Sequence, residues 1–284
     1  MLFLAGCSVT IDSVEDPTEQ HLEDQPVKND DQVIEEVDPE LQQQQLFAFF
    51  GGLLPFNPED ELYYLALGDS LTRGVGDGKD QYGFSGRLAD ELEQLPNIST
   101  VEFDNRGKNG RRSDQLLKLV ESGHYDAELE NADLVTISLG GNDVMKVVKS
   151  DVFNLKQSMF DKALSPFKKR YTKIIEEIRV HNADVPIILV GFYNPFAIIT
   201  DETAAFEGIL ESWNDTIEEI ANNDINACFV PVADLFVSND SLIYHTDFFH
   251  PNANGYERMA KRVVKQMQKC NIESMSDGLI VFEE

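Results

Sequence analysis

From about Glu61 onward, short apolar runs alternate with longer stretches whose apolar residues recur at helical spacing, and this alternation narrows the folds open to the chain. Residues 63–67, 100–105, 133–139, 185–192 and 228–232 read as strands. Several are apolar at successive positions, the pattern of strands buried on both faces. Residues 86–95, 114–120, 160–181, 203–222 and 253–267 carry helical periodicity. Such alternation implies βαβ crossovers, so the expected fold is α/β: three layers (αβα), flavodoxin-like, with a mostly parallel five-stranded sheet and helices on both faces. The expected domain runs over 61–272, with 273–284 as a C-terminal tail.

Open α/β sheets bind ligands at the carboxyl ends of their strands. The residues with the most pointed chemistry fall there: Ser70 after the first strand, Gly110 after the second, and Asn142 after the third. Asp247 and His250 sit in the last loop before the C-terminal helix. Singly these are weak signals. Gly68-Asp69-Ser70-Leu71 also reads as a turn in which Asp69 or Ser70 caps backbone amides. Gly110 fits a plain turn, Asn142 fits a helix cap, and a lone Asp-x-x-His fits a surface loop. Gly74-Val75-Gly76-Asp77-Gly78-Lys79 is no phosphate loop, because Arg73 stands where the first glycine belongs and Asp80 follows the lysine. It reads as a flexible loop.

Together the segments are far more specific. Gly68-Asp69-Ser70-Leu71, Asn105-Arg106-Gly107-Lys108-Asn109-Gly110, Gly140-Gly141-Asn142-Asp143 and Asp247-Phe248-Phe249-His250-Pro251-Asn252 resemble, in order, the four sequence blocks of the SGNH or GDSL-type hydrolases. Within that family the chain looks like the bacterial lipoprotein-type acylhydrolases. The resemblance spans about 61–268 and implies a metal-independent, cofactor-free serine hydrolase of carboxylic esters working through an acyl-enzyme. It assigns Ser70 as nucleophile, His250 as base and Asp247 as the group that orients it. It places the backbone N–H groups of Ser70 and Gly110 and the amide of Asn142 in the oxyanion hole. Acyl transfer needs those parts: an activated hydroxyl, a base that titrates near neutrality, and donors for the developing oxyanion. Asp69 and Asn105 would support loop geometry. His245 lies outside the matched block, and His21, His124 and His181 sit in polar or linker sequence. An α/β-hydrolase elbow (G-x-S-x-G) and a zincin motif (H-E-x-x-H) are both absent from the sequence.

The start of the chain suggests an address. Leu4-Ala5-Gly6-Cys7 resembles a bacterial lipobox, with Cys7 as the lipidated residue and 1–7 as a partial signal segment. Six residues before Cys7 are fewer than the basic region and apolar core of about 7–15 residues that a signal peptide carries. Residues 8–45 hold twelve Asp or Glu against one lysine, a net −11 of the chain's −28, and read as a disordered acidic linker. Residues 46–60 form a hydrophobic segment expected to dock on the domain. The expected protein is a monomer, tethered through a lipid at Cys7 to the extracellular face of the cytoplasmic membrane or released as a secreted form. Its charge excludes nucleic acid and opposes anionic surfaces.

No Cys-x-x-Cys pair occurs, and Cys228 and Cys270 are expected to be buried free thiols. The segment 144–169 is expected to supply a lid or pocket wall. Sequence leaves the ester open among lysophospholipid, short acyl ester, thioester and O-acetylated polysaccharide. A non-catalytic surface-binding protein on the same fold is the reading from another class.

Overall fold

The computed structural model describes residues 60–195, 204–236, 243–247 and 249–282. The signal segment, the acidic linker and, but for Asp60, the hydrophobic docking segment lie outside these residues. Five strands, β1 (Asp60–Gly68), β2 (Ile98–Gly107), β3 (Leu134–Ser138), β4 (Ile187–Val190) and β5 (Ala227–Val230), form one sheet in the order β2-β1-β3-β4-β5. Every neighbouring pair is parallel. The helices are α1 (Ser70–Arg73), α2 (Gly83–Leu92), α3 (Ser113–Glu121), α4 (Asp126–Asn131), α5 (Gly141–Ser150), α6 (Gln157–His181), α7 (Ala204–Asn222), α8 (Ala253–Lys269) and α9 (Ile272–Met275).

Two apolar cores flank the sheet, which is why its central strands read as unbroken hydrophobic runs. Leu65 and Leu67 of β1, with Val135, Ile137, Ile187 and Leu189, face the side covered by α3, α4, α6 and α7. Tyr64 and Ala66, with Leu134, Ile188 and Val190, face α2 and α8. The period of two survives as a choice of core rather than as a choice between core and water. Two polar groups buried in this sheet satisfy each other: the Tyr64 hydroxyl and Thr136 Oγ1 are 2.9 Å apart.

The chain leaves β1 for β2 on one side and then crosses to β3 on the other. The carboxyl ends of β1 and β3 therefore border the crevice where such a sheet takes its ligands. Pairing in β4 ends at Val190, short of the expected 185–192. Beyond it, the side-chain amide of Asn214 takes both backbone groups of Phe192, at 3.1 and 2.8 Å, in place of a neighbouring strand.

Three expectations are corrected. Cys228 and Cys270 are joined in a disulfide, because α8 packs back along β5 and brings two Cα atoms that are 42 residues apart in sequence to 6.0 Å. The residues read as a tail belong to the domain, since Met275 and Ile280 are buried in the core beside Leu62 and Leu95. The glycine-rich stretch 74–79 is pinned rather than loose. Asp77, buried within it, accepts two bonds from the Arg87 guanidinium (2.6 and 3.0 Å) and one from Gly83 N–H (3.0 Å).

Candidate active site

Gly68 ends β1 at φ +152, where a Cβ would strike Thr72 Oγ1 and the Ser138 carbonyl, so the turn into α1 requires glycine. That turn puts Ser70 at the first position of a four-residue helix, buried but lining a pocket above the sheet. Asp69 precedes it as the helix cap, accepting from Leu71 N–H at 3.0 Å.

The imidazole of His250 reaches Ser70 from the other end of the chain. His250 Nε2 lies 2.9 Å from Ser70 Oγ, and His250 Nδ1 lies 2.6 Å from Asp247 Oδ2. The second oxygen of Asp247 accepts the backbone N–H groups of Phe249 and His250, each at 3.0 Å. Burial alone would raise the Asp247 pKa. The His250 ring and those two amides outweigh it and hold the carboxyl below its ordinary value.

The loop that presents this pair is braced on three sides. Tyr244 and Pro251 form an antiparallel bridge. His245 N–H donates to the His250 carbonyl at 2.8 Å, and the Tyr193 hydroxyl donates to the Phe249 carbonyl at 2.7 Å. Asn252 caps α8 through bonds from Asn254 and Gly255 N–H. Gly76 packs against the same loop so closely that a Cβ there would sit 2.6 Å from the Pro251 carbonyl oxygen and 3.1 Å from His250 Cβ. His245, two residues before Asp247, turns its ring toward Thr246 Oγ1 at 3.3 Å.

Asn142 enters from β3. It lies in the first turn of α5 and lines the pocket with Ser70; its amide donates to Asp69 Oδ2 at 3.1 Å rather than capping the helix. Burial pushes the Asp69 carboxyl up to about 7, although the bonds from Leu71 N–H and Asn142 pull it down. Its neighbour Asp143 faces away from the pocket and accepts Ser113 N–H, Ser113 Oγ and the Arg170 guanidinium. Asp143 therefore ties α5 to α3 and α6.

Gly110 stands apart from this group. It occupies the loop after β2 at φ +74, with open space where a Cβ would be, and it does not line the pocket. Its loop is held to the site by Lys108 N–H donating to the Gly68 carbonyl (3.1 Å) and by the Arg111 guanidinium bridging the carbonyls of Gly68 and Arg106. Asn105 bonds Thr72 O, Ser85 Oγ and Gly107 N–H, a framework role. Tyr193 and Arg111 were invisible in the sequence because each acts through a backbone carbonyl that only the fold brings near.

The pocket opens to solvent at its mouth. Its polar groups cluster at Asp69, Ser70, Ser138 and Asn142; Leu139, Val144, Met145, Phe192, Leu210 and Phe249 line much of the rest. Among the described residues, no group of three His, Cys, Asp or Glu is placed to hold a metal ion. No helix among them is long and apolar enough to cross a membrane.

Comparison with known proteins shows the family of the chain. The sequence model of the GDSL-like lipase/acylhydrolase family matches residues 66–258. YpmR of Bacillus subtilis (strain 168) is 37% identical over 213 residues, covering 74% of this chain and 83% of that protein. The spore germination lipase LipC of Bacillus licheniformis is 26% identical over 211 residues, covering 71% and 94%. Among solved structures, the lipase Lip_vut3 from a goat rumen metagenome superposes with a TM-score of 0.65 at 24% identity, over 72% of this chain and 97% of that one. The acetylxylan esterase Axe2 of Geobacillus stearothermophilus gives 0.55 at 18%, over 75% and 96%. The chain belongs to the GDSL-like lipase/acylhydrolase family of carboxylic ester hydrolases.

Proposed function

We propose that the protein hydrolyses acyl esters through an acyl-enzyme on Ser70, with His250 as base and Asp247 as its orienting carboxylate. One observation carries this reading: the unbroken hydrogen-bonded line from Ser70 Oγ through both nitrogens of His250 to Asp247, at 2.9 and 2.6 Å. Ser70 Oγ attacks the ester carbonyl while His250 Nε2 takes its proton, and the imidazolium so formed is stabilised by Asp247. The tetrahedral oxyanion is received by Ser70 N–H and the Asn142 amide, which line the pocket; the family resemblance adds Gly110 N–H, off the pocket wall on a loop hydrogen-bonded to Gly68. His250 then protonates the departing alcohol. Water, deprotonated by the same nitrogen, releases the acid and restores Ser70.

The pocket composition favours an aliphatic acyl group over a sugar. A sugar ring asks for several hydrogen-bonding partners, whereas the wall beyond the reacting end is mostly aliphatic and aromatic. We further read the chain as lipid-anchored through Cys7 outside the cytoplasmic membrane. The Cys228–Cys270 disulfide supports an oxidising compartment.

The test is a panel of p-nitrophenyl esters from acetate to palmitate, with acetylated xylan beside it, on wild type and Ser70→Ala. A fluorophosphonate probe should label Ser70 alone. Equal hydrolysis by wild type and the variant would remove the enzyme reading. Acetylated xylan outperforming every longer acyl ester would move the substrate to sugars.

A further inference from the structure

The chain is strongly acidic, yet 144–173 carries eight basic residues against two acidic ones, a local +6 within a total of −28. This stretch contains most of α5, the connection 151–156 and the first two-thirds of α6. At the tip of the connection, Phe153 is 93% exposed, Val152 57% and Leu155 41%. Apolar side chains standing singly at a surface are ordinary. Three within four residues, with lysines on both sides, are not.

The position of this tip follows from packing. Phe167 lies against Gly140, at the carboxyl end of β3, where a Cβ on the glycine would come within 3.2 Å of its ring. The ten residues of α6 before Phe167 extend it by about 15 Å at the helical rise. That extension leads beyond the strand ends, on the side where the pocket lies. Phe160 on it packs edge-on against Phe206, a pocket residue, with ring centroids 6.0 Å apart. Val144 and Met145 of α5 line the same pocket. The connection between the two helices thus borders the substrate side of the molecule.

Lys146, Lys149, Lys156 and Lys162 are all exposed around this tip. Lys146 and Lys162 line one groove between α5 and α6, Lys149 follows one turn along α5, and Lys156 immediately precedes α6. Among the described residues these four lysines enter no ion pair, whereas Lys168 and Lys173 are bound to Glu219 and to Glu121 and Glu177. The two acids of the stretch are engaged locally, Asp151 by Asn154 and Asp161 by Gln157.

We propose that the 151–156 connection, with Val152, Phe153 and Leu155 inserted and the four lysines on the headgroups, docks the enzyme on an anionic phospholipid bilayer. Apolar side chains ringed by lysines are the composition of interfacial membrane binders. Screening shortens the reach of the remaining acidic surface to about 8 Å at physiological salt, so the patch governs approach from its own side. Docking there would present lipid-borne esters to the pocket mouth. Only that catalytic consequence rests on the nucleophile reading of Ser70.

The experiment uses the full chain carrying Cys7→Ala, so that no acyl group contributes, with vesicles of phosphatidylcholine containing phosphatidylglycerol and vesicles of phosphatidylcholine alone. Co-sedimentation is expected with the anionic vesicles and is weakened by salt. Each lysine-to-alanine change should lower partitioning about fivefold, and Phe153→Ser more than tenfold. Hydrolysis of soluble p-nitrophenyl butyrate should be unchanged in both, while release of acid from a vesicle-borne ester falls in parallel with binding. Equal binding to neutral vesicles, or binding indifferent to Phe153→Ser and to the lysine changes, overturns the proposal. Self-association abolished by Phe153→Ser without vesicle binding also overturns it, in favour of a face between copies of the chain. Loss of all ester hydrolysis with vesicle binding intact would count against the nucleophile reading alone.

Discussion

Asn142 donates its side-chain amide to Asp69 across 3.1 Å, and this bond joins the loop after β3 to the loop after β1 over the crevice where the chain reverses direction in the sheet. The same carboxyl group accepts Leu71 N–H through its other oxygen at 3.0 Å. One buried acid therefore fixes the start of α1, which carries Ser70, and the amide that lines the pocket opposite it. Its placement has a thermodynamic cost, because burial lifts its pKa from the ordinary 3.8 to about 7.

Replacing Asp69 separates these two effects. Between pH 3.8 and about 7 the folded chain keeps a proton that the unfolded chain has released. Asp69 thus contributes its full stability below the lower value and loses it as pH rises through the upper one. Asp69→Asn should gain melting temperature relative to wild type on going from about pH 4 to about pH 8. Its activity should still fall, by up to about 10²–10³ in kcat, because the Asn142 amide loses the acceptor that orients it. Melts that stay parallel across this range would argue that Asp69 titrates normally.

Asp247→Asn should leave the loop in place and the chemistry impaired. The asparagine can still accept Phe249 and His250 N–H, but it no longer offers a charge to Nδ1, and a loss of roughly 10⁴ in kcat is the scale for such a change in a serine triad. Asp247 is held below the usual carboxylate range, so it remains charged as pH falls toward the acid side. Asp247 should therefore add no ionisation of its own to the acid limb of kcat/KM, whereas Asp69, lifted to about 7, should add one. A chelator should leave that limb unmoved. An ionisation in the usual carboxylate range that persists in Asp69→Asn and is lost in Asp247→Asn would place Asp247 in the titration.

The parts legible in sequence were those written in local pattern. Two-faced strands announced a parallel sheet, and four short blocks pointed to Ser70, Asn142, Asp247 and His250, of which Ser70, His250 and Asp247 stand in one hydrogen-bonded line. What escaped was nonlocal. The Tyr193 hydroxyl supports the Phe249 carbonyl across 56 residues, and nothing in its own segment distinguishes it from core. Asp77 looked like part of a loose glycine loop because its partner Arg87 stands on the following helix, and only folding buries the pair. Gly110 was named from its block, and its backbone conformation demands glycine, yet the pocket wall does not include it.

Gly76 tests whether that glycine loop sets the position of His250. At φ +91 an alanine is strained, and its Cβ would press on the Pro251 carbonyl and on Cβ of His245 and His250. Gly76→Ala should lose about 1–3 kcal/mol of stability and lower kcat by displacing His250 from Ser70. Gly78→Ala, two residues on, meets nothing within 4 Å and has no positive φ. It should stay within about 0.5 kcal/mol of wild type with full activity. Equal losses in the two variants would mean general loosening of the loop rather than contact with His250.

The disulfide offers a prediction independent of the site. Closing 42 residues between Cys228 and Cys270 restricts the unfolded chain by about 4 kcal/mol in the chain-entropy account. Reductant, or the pair Cys228→Ser with Cys270→Ser, should lower the urea midpoint by a corresponding amount. The double variant should then ignore reductant. Neither cysteine lines the pocket, so ester hydrolysis well below the melting temperature should be unaffected. Free thiols mapped to Cys228 and Cys270 in the denatured, unreduced protein, with a midpoint indifferent to reductant, would show that the pair is unbonded. Where the bond forms, it locks the end of α8 onto β5, and α8 begins three residues after His250. The helix that follows the Asp247–His250 loop is thereby fixed at its far end by a covalent link and at its near end by the Asn252 cap.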